Sequence, residues 1–216
     1  MNKDIPKVMD RLEREYIKYK QPTVRRTSKL RDPFKVLISC LLSLRTQDKN
    51  TEIASSNLFK IAETPEEIIK LPVRKLEKLI YSSGYYKKKA RILKDVSKEL
   101  IKRFNSEVPD NKEELLSIKG IGPKTANIVL CFAYGKKVIP IDVHCNRFPN
   151  RMGWVKTKTP EQTEQELMKI LPKRYWKEFN TVVILHGQNI CKSLSPLCSK
   201  CLVGKHCKKI GVKKYK

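Results

Sequence analysis

The stretch SIKGIGPKTANIVLCFAYG, residues 117–135, decides how this chain is read. Gly120 and Gly122 flank Ile121, and Pro123 then opens a run that is apolar on nearly every face from Ile128 to Ala133. Proline suits the first position of a helix, where its missing N–H has no partner to lose. The stretch therefore predicts a short helix, a tight turn and a buried second helix. Glycine lets the backbone bend through positive φ and leaves N–H groups uncovered, so a phosphate can approach closely at the helix N-terminus. A lone Gly-x-Gly is more often a plain helix–helix corner, but the adjoining PKTAN and the basic chain favour phosphate binding. Lys124 stands in the first turn of the second helix, where the positive end of the helix dipole disfavours a cation. Those dipoles and the neighbouring cations favour its neutral amine, which is a nucleophile. An exposed lysine with no special role is the alternative.

Working outward, 47 Lys and Arg against 22 Asp and Glu give a net charge of +25, spread along the chain rather than gathered in a tail. Such a field attracts phosphate and predicts a nucleic-acid partner. With 216 residues and 40% apolar content, the chain can bury one core or two small ones side by side. The longest apolar runs, 36–44 and 128–134, fall far short of the ~20 residues that span a bilayer. The charged N-terminus, MNKDIPKVMDRLERE, lacks the apolar segment of a signal peptide. An intracellular protein is expected, in which clustered cysteines point to metal rather than disulfides.

Strand signals are scarce and helix signals recur. TPEE from Thr64, DNKE from Asp110 and TPEQ from Thr159 each offer a cap with an acidic or amide residue three positions on. Helices are predicted at about 7–19, 33–42, 49–60, 65–71, 74–81, 86–104, 112–117, 123–134, 144–152, 160–171 and 175–187. The fold class is all-α.

Eighteen residues beyond Lys124, VIPIDVHCNRF places Asp142 before a helical run. Position alone makes it an ordinary N-cap at least as readily as an acid with a chemical role. Near the C-terminus, Cys191, Cys198, Cys201 and Cys207 follow the spacing C-x6-C-x2-C-x5-C. Zinc sites usually join two close pairs across a longer span, whereas one close pair with two outliers within 17 residues suits a compact cluster. Zinc, with His206 as a possible ligand, is the alternative. Cys40, Cys131 and Cys145 lie in apolar surroundings and read as core thiols, and His144 is expected to pack or hydrogen-bond beside Asp142.

Taken in order, GIGPKTAN, IDVH and the cysteine spacing resemble the helix-hairpin-helix DNA glycosylases, specifically the endonuclease III family. The likeness runs from about Asp32 to Lys208 and includes LISCLLSLRTQD and YSSGYYKKKARIL. The resemblance implies a six-helix barrel domain at 21–135, with the helix-hairpin-helix at about 115–131. It implies a second helical domain made of 1–20 and 136–216 that carries a 4Fe-4S cluster loop at 191–207, with the DNA cleft between the two.

By resemblance the protein is a bifunctional DNA glycosylase and AP lyase of base excision repair. It removes oxidised or ring-saturated pyrimidines of the thymine glycol type and acts on abasic sites in double-stranded DNA. Lys124 matches the catalytic lysine, which forms a Schiff base with the sugar, and Asp142 the catalytic aspartate. The four cysteines match the ligands of one 4Fe-4S cluster, whose loop sets Lys192, Lys200, Lys205, Lys208 and Lys209 against phosphates. A monomeric, cytoplasmic, nucleoid-associated prokaryotic protein is expected.

Two alternatives belong to other classes: a monofunctional mismatch-specific thymine or uracil glycosylase, and a noncatalytic metal-containing DNA-binding protein. Lys124 argues against the first.

The match also departs from the family pattern. Arg45 stands where a glutamine is common, with Gln47 two residues on, and Tyr85 takes a position that is commonly apolar. Extruding a nucleotide leaves a gap to fill. Arg45 suits bonding to the orphaned base or a phosphate, and Tyr85 suits stacking as a wedge, although a core aromatic is equally plausible there. Lys119 replaces a proline common in the hairpin and adds a phosphate contact beside Gly120, Ile121 and Gly122. The run YYKKKARILK reads as a solvated face or, next to the wedge, as a partial DNA contact.

Overall fold

The structure is a computed structural model and describes residues 4–216. It is helical, with no strand among the described residues. The α-helices are α1 (Ile5–Tyr16), α2 (Thr23–Thr27), α3 (Pro33–Ser43), α4 (Asp48–Phe59), α5 (Pro65–Lys70) and α6 (Val73–Leu79). They continue as α7 (Tyr86–Phe104), α8 (Lys112–Ser117), α9 (Pro123–Phe132), α10 (Val143–Met152), α11 (Pro160–Ile170) and α12 (Trp176–Asn189). None is long and apolar enough to cross a membrane.

Local chemistry sets many of these boundaries. Thr64 and Thr159 each accept from the N–H three residues on, while Glu67 and Gln162 reach back to the cap, closing both capping boxes. The third cap lies one residue later than expected. Asn111 caps α8 by accepting from Glu114 N, and Asp110 instead pairs with Lys136 at 2.8 Å. The five-residue α2 has too little length for a periodic signal and was not expected. Nor does Gly187 end the last helix, which runs on to Asn189.

The chain forms two compact units. One consists of Pro22–Lys136 and holds α2–α9. Its centre is α3, whose residues Val36, Leu37, Ile38, Cys40, Leu41 and Leu42 are all buried. α9 packs on α3 and buries every residue from Thr125 to Phe132. α7 is amphipathic and lays Ala90, Leu93, Val96 and Leu100 against its neighbours.

The other unit joins residues 4–21 to 137–216 and holds α1 and α10–α12. The α1 stripe of Ile5, Val8, Met9, Leu12 and Tyr16 packs with Phe148 and Met152 of α10 and Phe179 and Val183 of α12. Cys191, Cys201 and Cys207 lie against this core, so the cysteine loop is built onto it. Cys40, Cys131 and Cys145 are buried, as expected.

Candidate active site and metal centre

In the first unit, α8 and α9 form the hairpin. Gly120 has φ of +102°, and a Cβ there would stand 3.0 Å from Ile92 Cγ2, so the turn requires glycine. Gly122 is different. It is the N-cap of α9 in extended backbone, and a Cβ on it would touch nothing within 4 Å. The space beside it is open, and no side chain caps the first turn of α9. Ile121 is 5% exposed, so it offers only its backbone, while Lys119 is exposed.

Lys124 follows at the second position of α9 and is half-buried, on a helix otherwise sunk into the core. Burial pushes the thiol of Cys40 on α3 up, and the Lys124 charge and a hydrogen bond with Thr125 act the other way. The lysine therefore emerges from a closed apolar floor, next to uncapped N–H groups.

Two loops of the same unit carry the residues proposed for gap filling. Arg45 follows α3 and Tyr85 precedes α7. Both adopt left-handed backbone, with φ of 51° and 59°, a costly choice for residues with a Cβ. Tyr85 is 64% exposed, which overturns the core-aromatic alternative, and the Arg45 guanidinium lies 6.0 Å from the centre of its ring. Gln47 is the exposed N-cap of α4 and makes no capping bond, so its amide is not used by the helix start.

Within the run KKKA, Lys87 and Lys88 are exposed while Lys89 is buried, at 6% exposure. Sequence reasoning missed Lys89. The signal was its register, four residues before Leu93 and on the apolar stripe of α7.

In the second unit, Asp142 is the N-cap of α10 and is buried. Its Oδ1 accepts from His144 N at 2.9 Å and Cys145 N at 2.8 Å. The N-cap alternative is thus realised, yet both bonds fall on one oxygen. They fix the carboxylate with Oδ2 outside the cap. His144 packs over Gly187 of α12, and its Nδ1 lies 2.8 Å from Arg147 Nη2.

α10 also grips the cysteine loop. Arg147 Nη2 donates to Cys191 O at 2.9 Å, and Arg151 Nη1 donates to Lys192 O at 2.7 Å and Cys191 Sγ at 3.3 Å. Arg151 Nη2 reaches Ser193 O at 2.8 Å.

All four cysteines of the motif line a single cavity with about 400 Å³ of atom-free space, which includes open solvent, together with Phe148, Met152 and Val203. Lys209 N donates to Cys207 Sγ at 3.3 Å, and buried His186 places Nε2 3.7 Å from Cys201 Sγ and Nδ1 3.1 Å from Tyr16 Oη. Burial pushes the Cys201 thiol up to about 11, and Cys191, Cys207 and Cys198 push in the same direction. No group of three or more His, Cys, Asp or Glu side chains among the described residues is arranged to hold a metal ion. His206 turns toward Asp4, at 3.5 Å. Lys192, Lys200, Lys205 and Lys208 are exposed around the loop, while Lys209 is half-buried against the Tyr215 ring at 4.4 Å.

Comparison with known proteins matches residues 38–173 to the model of the HhH-GPD superfamily base excision DNA repair protein. The chain is 46% identical over 182 residues to endonuclease III of Thermotoga maritima, covering 84% of this chain and 85% of that one. It is 34% identical over 175 residues to endonuclease III of Haemophilus influenzae, with 81% and 83% covered. Among solved structures, a trapped endonuclease III–DNA covalent intermediate superposes with a TM-score of 0.86 at 31% identity, covering 97% of this chain and 96% of that one. A thermostable thymine-DNA glycosylase superposes with a TM-score of 0.82 at 25% identity, covering 96% and 97%.

Proposed function

We infer the chemistry of this chain from its membership: it belongs to the HhH-GPD superfamily of base excision DNA repair proteins and, within it, to the endonuclease III family. It is a bifunctional DNA glycosylase and abasic-site lyase that binds DNA.

The observation that carries the assignment of residues is Lys124, at the start of a buried helix beside a glycine turn with an uncapped first turn. We assign Lys124 as the nucleophile. Its amine attacks C1′ of the damaged nucleotide, and the glycosidic bond breaks with its electron pair leaving on the base, which takes up a proton. Loss of a proton from nitrogen and opening of the sugar ring give an imine. The imine acidifies the C2′ proton, and its removal expels the 3′ phosphate by β-elimination.

Asp142 is assigned the electrostatic role, with Oδ1 locked by two N–H groups and Oδ2 supplying negative charge as the sugar becomes cationic. A preset carboxylate stabilises that charge without reorganising. The hairpin N–H groups from Gly120 to Gly122 and Lys119 hold phosphate. Lys192, Lys200, Lys205 and Lys208 add contacts that read no bases.

The donor set fits one 4Fe-4S cluster held by Cys191, Cys198, Cys201 and Cys207. When bound, the cluster supplies the cationic core that keeps four thiolates together and ties the 191–207 loop into one piece. Oxidised or ring-saturated pyrimidines of the thymine glycol type and abasic sites in double-stranded DNA are the proposed substrates, acted on by a monomer in the prokaryotic cytoplasm.

Borohydride trapping tests the reading. Wild-type protein mixed with a duplex carrying one thymine glycol and then reduced is expected to gain the mass of the DNA strand, and Lys124→Gln to gain none. Absence of an adduct on both thymine glycol and abasic duplexes would overturn the assignment. Base release from a thymine mismatch without strand cleavage would then point to the monofunctional alternative. Iron and sulfide analysis against zinc content tests the metal centre.

A further inference from the structure

Among the described residues, Lys89 is a buried cation with no carboxylate partner at its ammonium. Its Nζ donates to Leu42 O at 2.7 Å, Leu44 O at 2.6 Å, Thr46 Oγ1 at 2.8 Å and Ser83 Oγ at 2.9 Å. Three protons thus face four acceptors. Two of these are carbonyls at the C-terminal end of α3, where orphaned carbonyls and the negative end of the helix dipole favour a cation. The other two belong to the loops that present Arg45 and Tyr85.

The same knot is drawn tighter by Gly84 N donating to Thr46 Oγ1 at 3.1 Å and Ser83 Oγ donating to Leu42 O at 2.9 Å. At Gly84 the loops come so close that a Cβ would stand 2.8 Å from Arg45 O. Burial pulls the Lys89 ammonium down to about 8, which leaves it charged at neutral pH. An apolar side chain would satisfy the α7 stripe with no desolvation cost. A charged one there indicates that the four acceptors must be gathered.

We propose that Lys89 is a positioning residue for base extrusion: its ammonium locks the 42–46 loop to the 83–85 turn. The lock holds Arg45 and Tyr85 in their paired left-handed conformations as the element that fills the duplex when a nucleotide leaves it. This rests on the reading of Arg45 and Tyr85 as the gap-filling pair. Left-handed backbone at a residue with a Cβ persists only where its surroundings enforce it. Without the ammonium, both loops can relax to ordinary backbone and the pair loses its alignment. Neither lysine chemistry nor phosphate contact is open to Lys89, because its nitrogen is enclosed and fully used.

The test compares single-turnover base release from a thymine glycol duplex with borohydride trapping on a single-stranded abasic oligonucleotide, where there is no gap to fill. Lys89→Met is expected to lower the duplex-to-single-strand ratio on the order of 10-fold or more, as lost alignment does. Thr46→Val with Ser83→Ala, which keeps the lysine and removes two acceptors, should move the ratio in the same direction. In an Arg45→Ala, Tyr85→Ala background, Lys89→Met should lose most of its effect.

An equal loss on both substrates, or an undiminished effect in that background, would overturn the proposal. If Arg45→Ala with Tyr85→Ala alone leaves duplex base release at the wild-type rate, the gap-filling reading itself has failed, and the proposal falls with it.

Discussion

Gly187 gives the sharpest test of how α10 is held. An added Cβ would lie 2.2 Å from His144 Nδ1, 2.8 Å from its Cγ and 3.0 Å from its Cβ. Ordinary contact begins at 3.4 Å, so the ring must retreat by about 1.2 Å, the difference between 3.4 and 2.2. It is not a free end. Its Nδ1 is tied to Arg147, and its own backbone N–H holds Asp142 Oδ1. In an unhindered helix interior, Gly→Ala would gain about 1 kcal/mol from helix propensity. Overpacking of this kind costs about 1–3 kcal/mol, so the sign of the stability change separates the two effects. We expect Gly187→Ala to lower the melting temperature, by roughly 4–8 °C per kcal/mol for a unit of this size. A shift of about 1 Å carried to Asp142 should slow base release on the order of 10- to 100-fold. The assays are thermal melting by circular dichroism and single-turnover glycosylase kinetics. His144→Ala added to Gly187→Ala should recover most of the melting temperature, because the clash is removed. A Gly187→Ala protein that melts higher than wild type and releases base at full rate would refute the reasoning.

The hairpin glycines should separate cleanly. Gly120→Ala, strained by its φ of +102° and by Ile92, should cost more than about 1 kcal/mol of stability, whereas Gly122→Ala should melt like wild type yet bind duplex more weakly in a salt titration. Cys201→Ser should remove the visible absorbance of the cluster and lower the melting temperature, with iron content read in parallel; unchanged absorbance would place the cluster ligands elsewhere. Lys89 predicts an alkaline signature: its folded pKa near 8 lies below the free value of 10.5, so the unfolded chain binds more protons between those values and stability rises with pH across that window. The rise is at most about 3 kcal/mol. It should be absent from Lys89→Met when the two proteins are titrated side by side, a comparison that cancels Lys94, whose pKa is also lowered by burial. A rise of equal size in the variant would show that Lys89 does not carry it.

Much of the fold was legible because its signals are local. Caps at Thr64 and Thr159 and prolines at helix starts act within one turn, and α7 was read to the residue, 86–104. The glycine hairpin and the cysteine spacing were equally visible, since each is a contiguous pattern. What escaped depends on partners distant in sequence. Lys89 looked like one of three solvated lysines, and only the acceptors at Leu42, Leu44 and Thr46, more than forty positions away, make it a buried junction. Gly187 looked like a helix stop, and only His144 on another helix explains why it sits inside one. The left-handed backbone of Arg45 and Tyr85 was hidden for the same reason, because strain is enforced by surroundings and not by residue type.

Lysine shows how one residue type is given separate tasks by its surroundings. Lys89 is saturated by four acceptors and cannot react. Lys124 rises half-buried from an apolar helix start, with no acceptor cage among its described bonds, as the proposed nucleophile role asks. In the second unit, α10 connects the proposed acid, Asp142, to the cysteine loop. Asp142 caps its first turn, and Arg151, nine positions on and roughly 13 Å along the axis at 1.5 Å per residue, holds Cys191 and the residues that follow it. The cap bonds that fix Oδ1 come from the first residues of that same helix, so the Asp142 carboxylate and the 191–193 segment are held by one element, with Pro149 between the two attachment points.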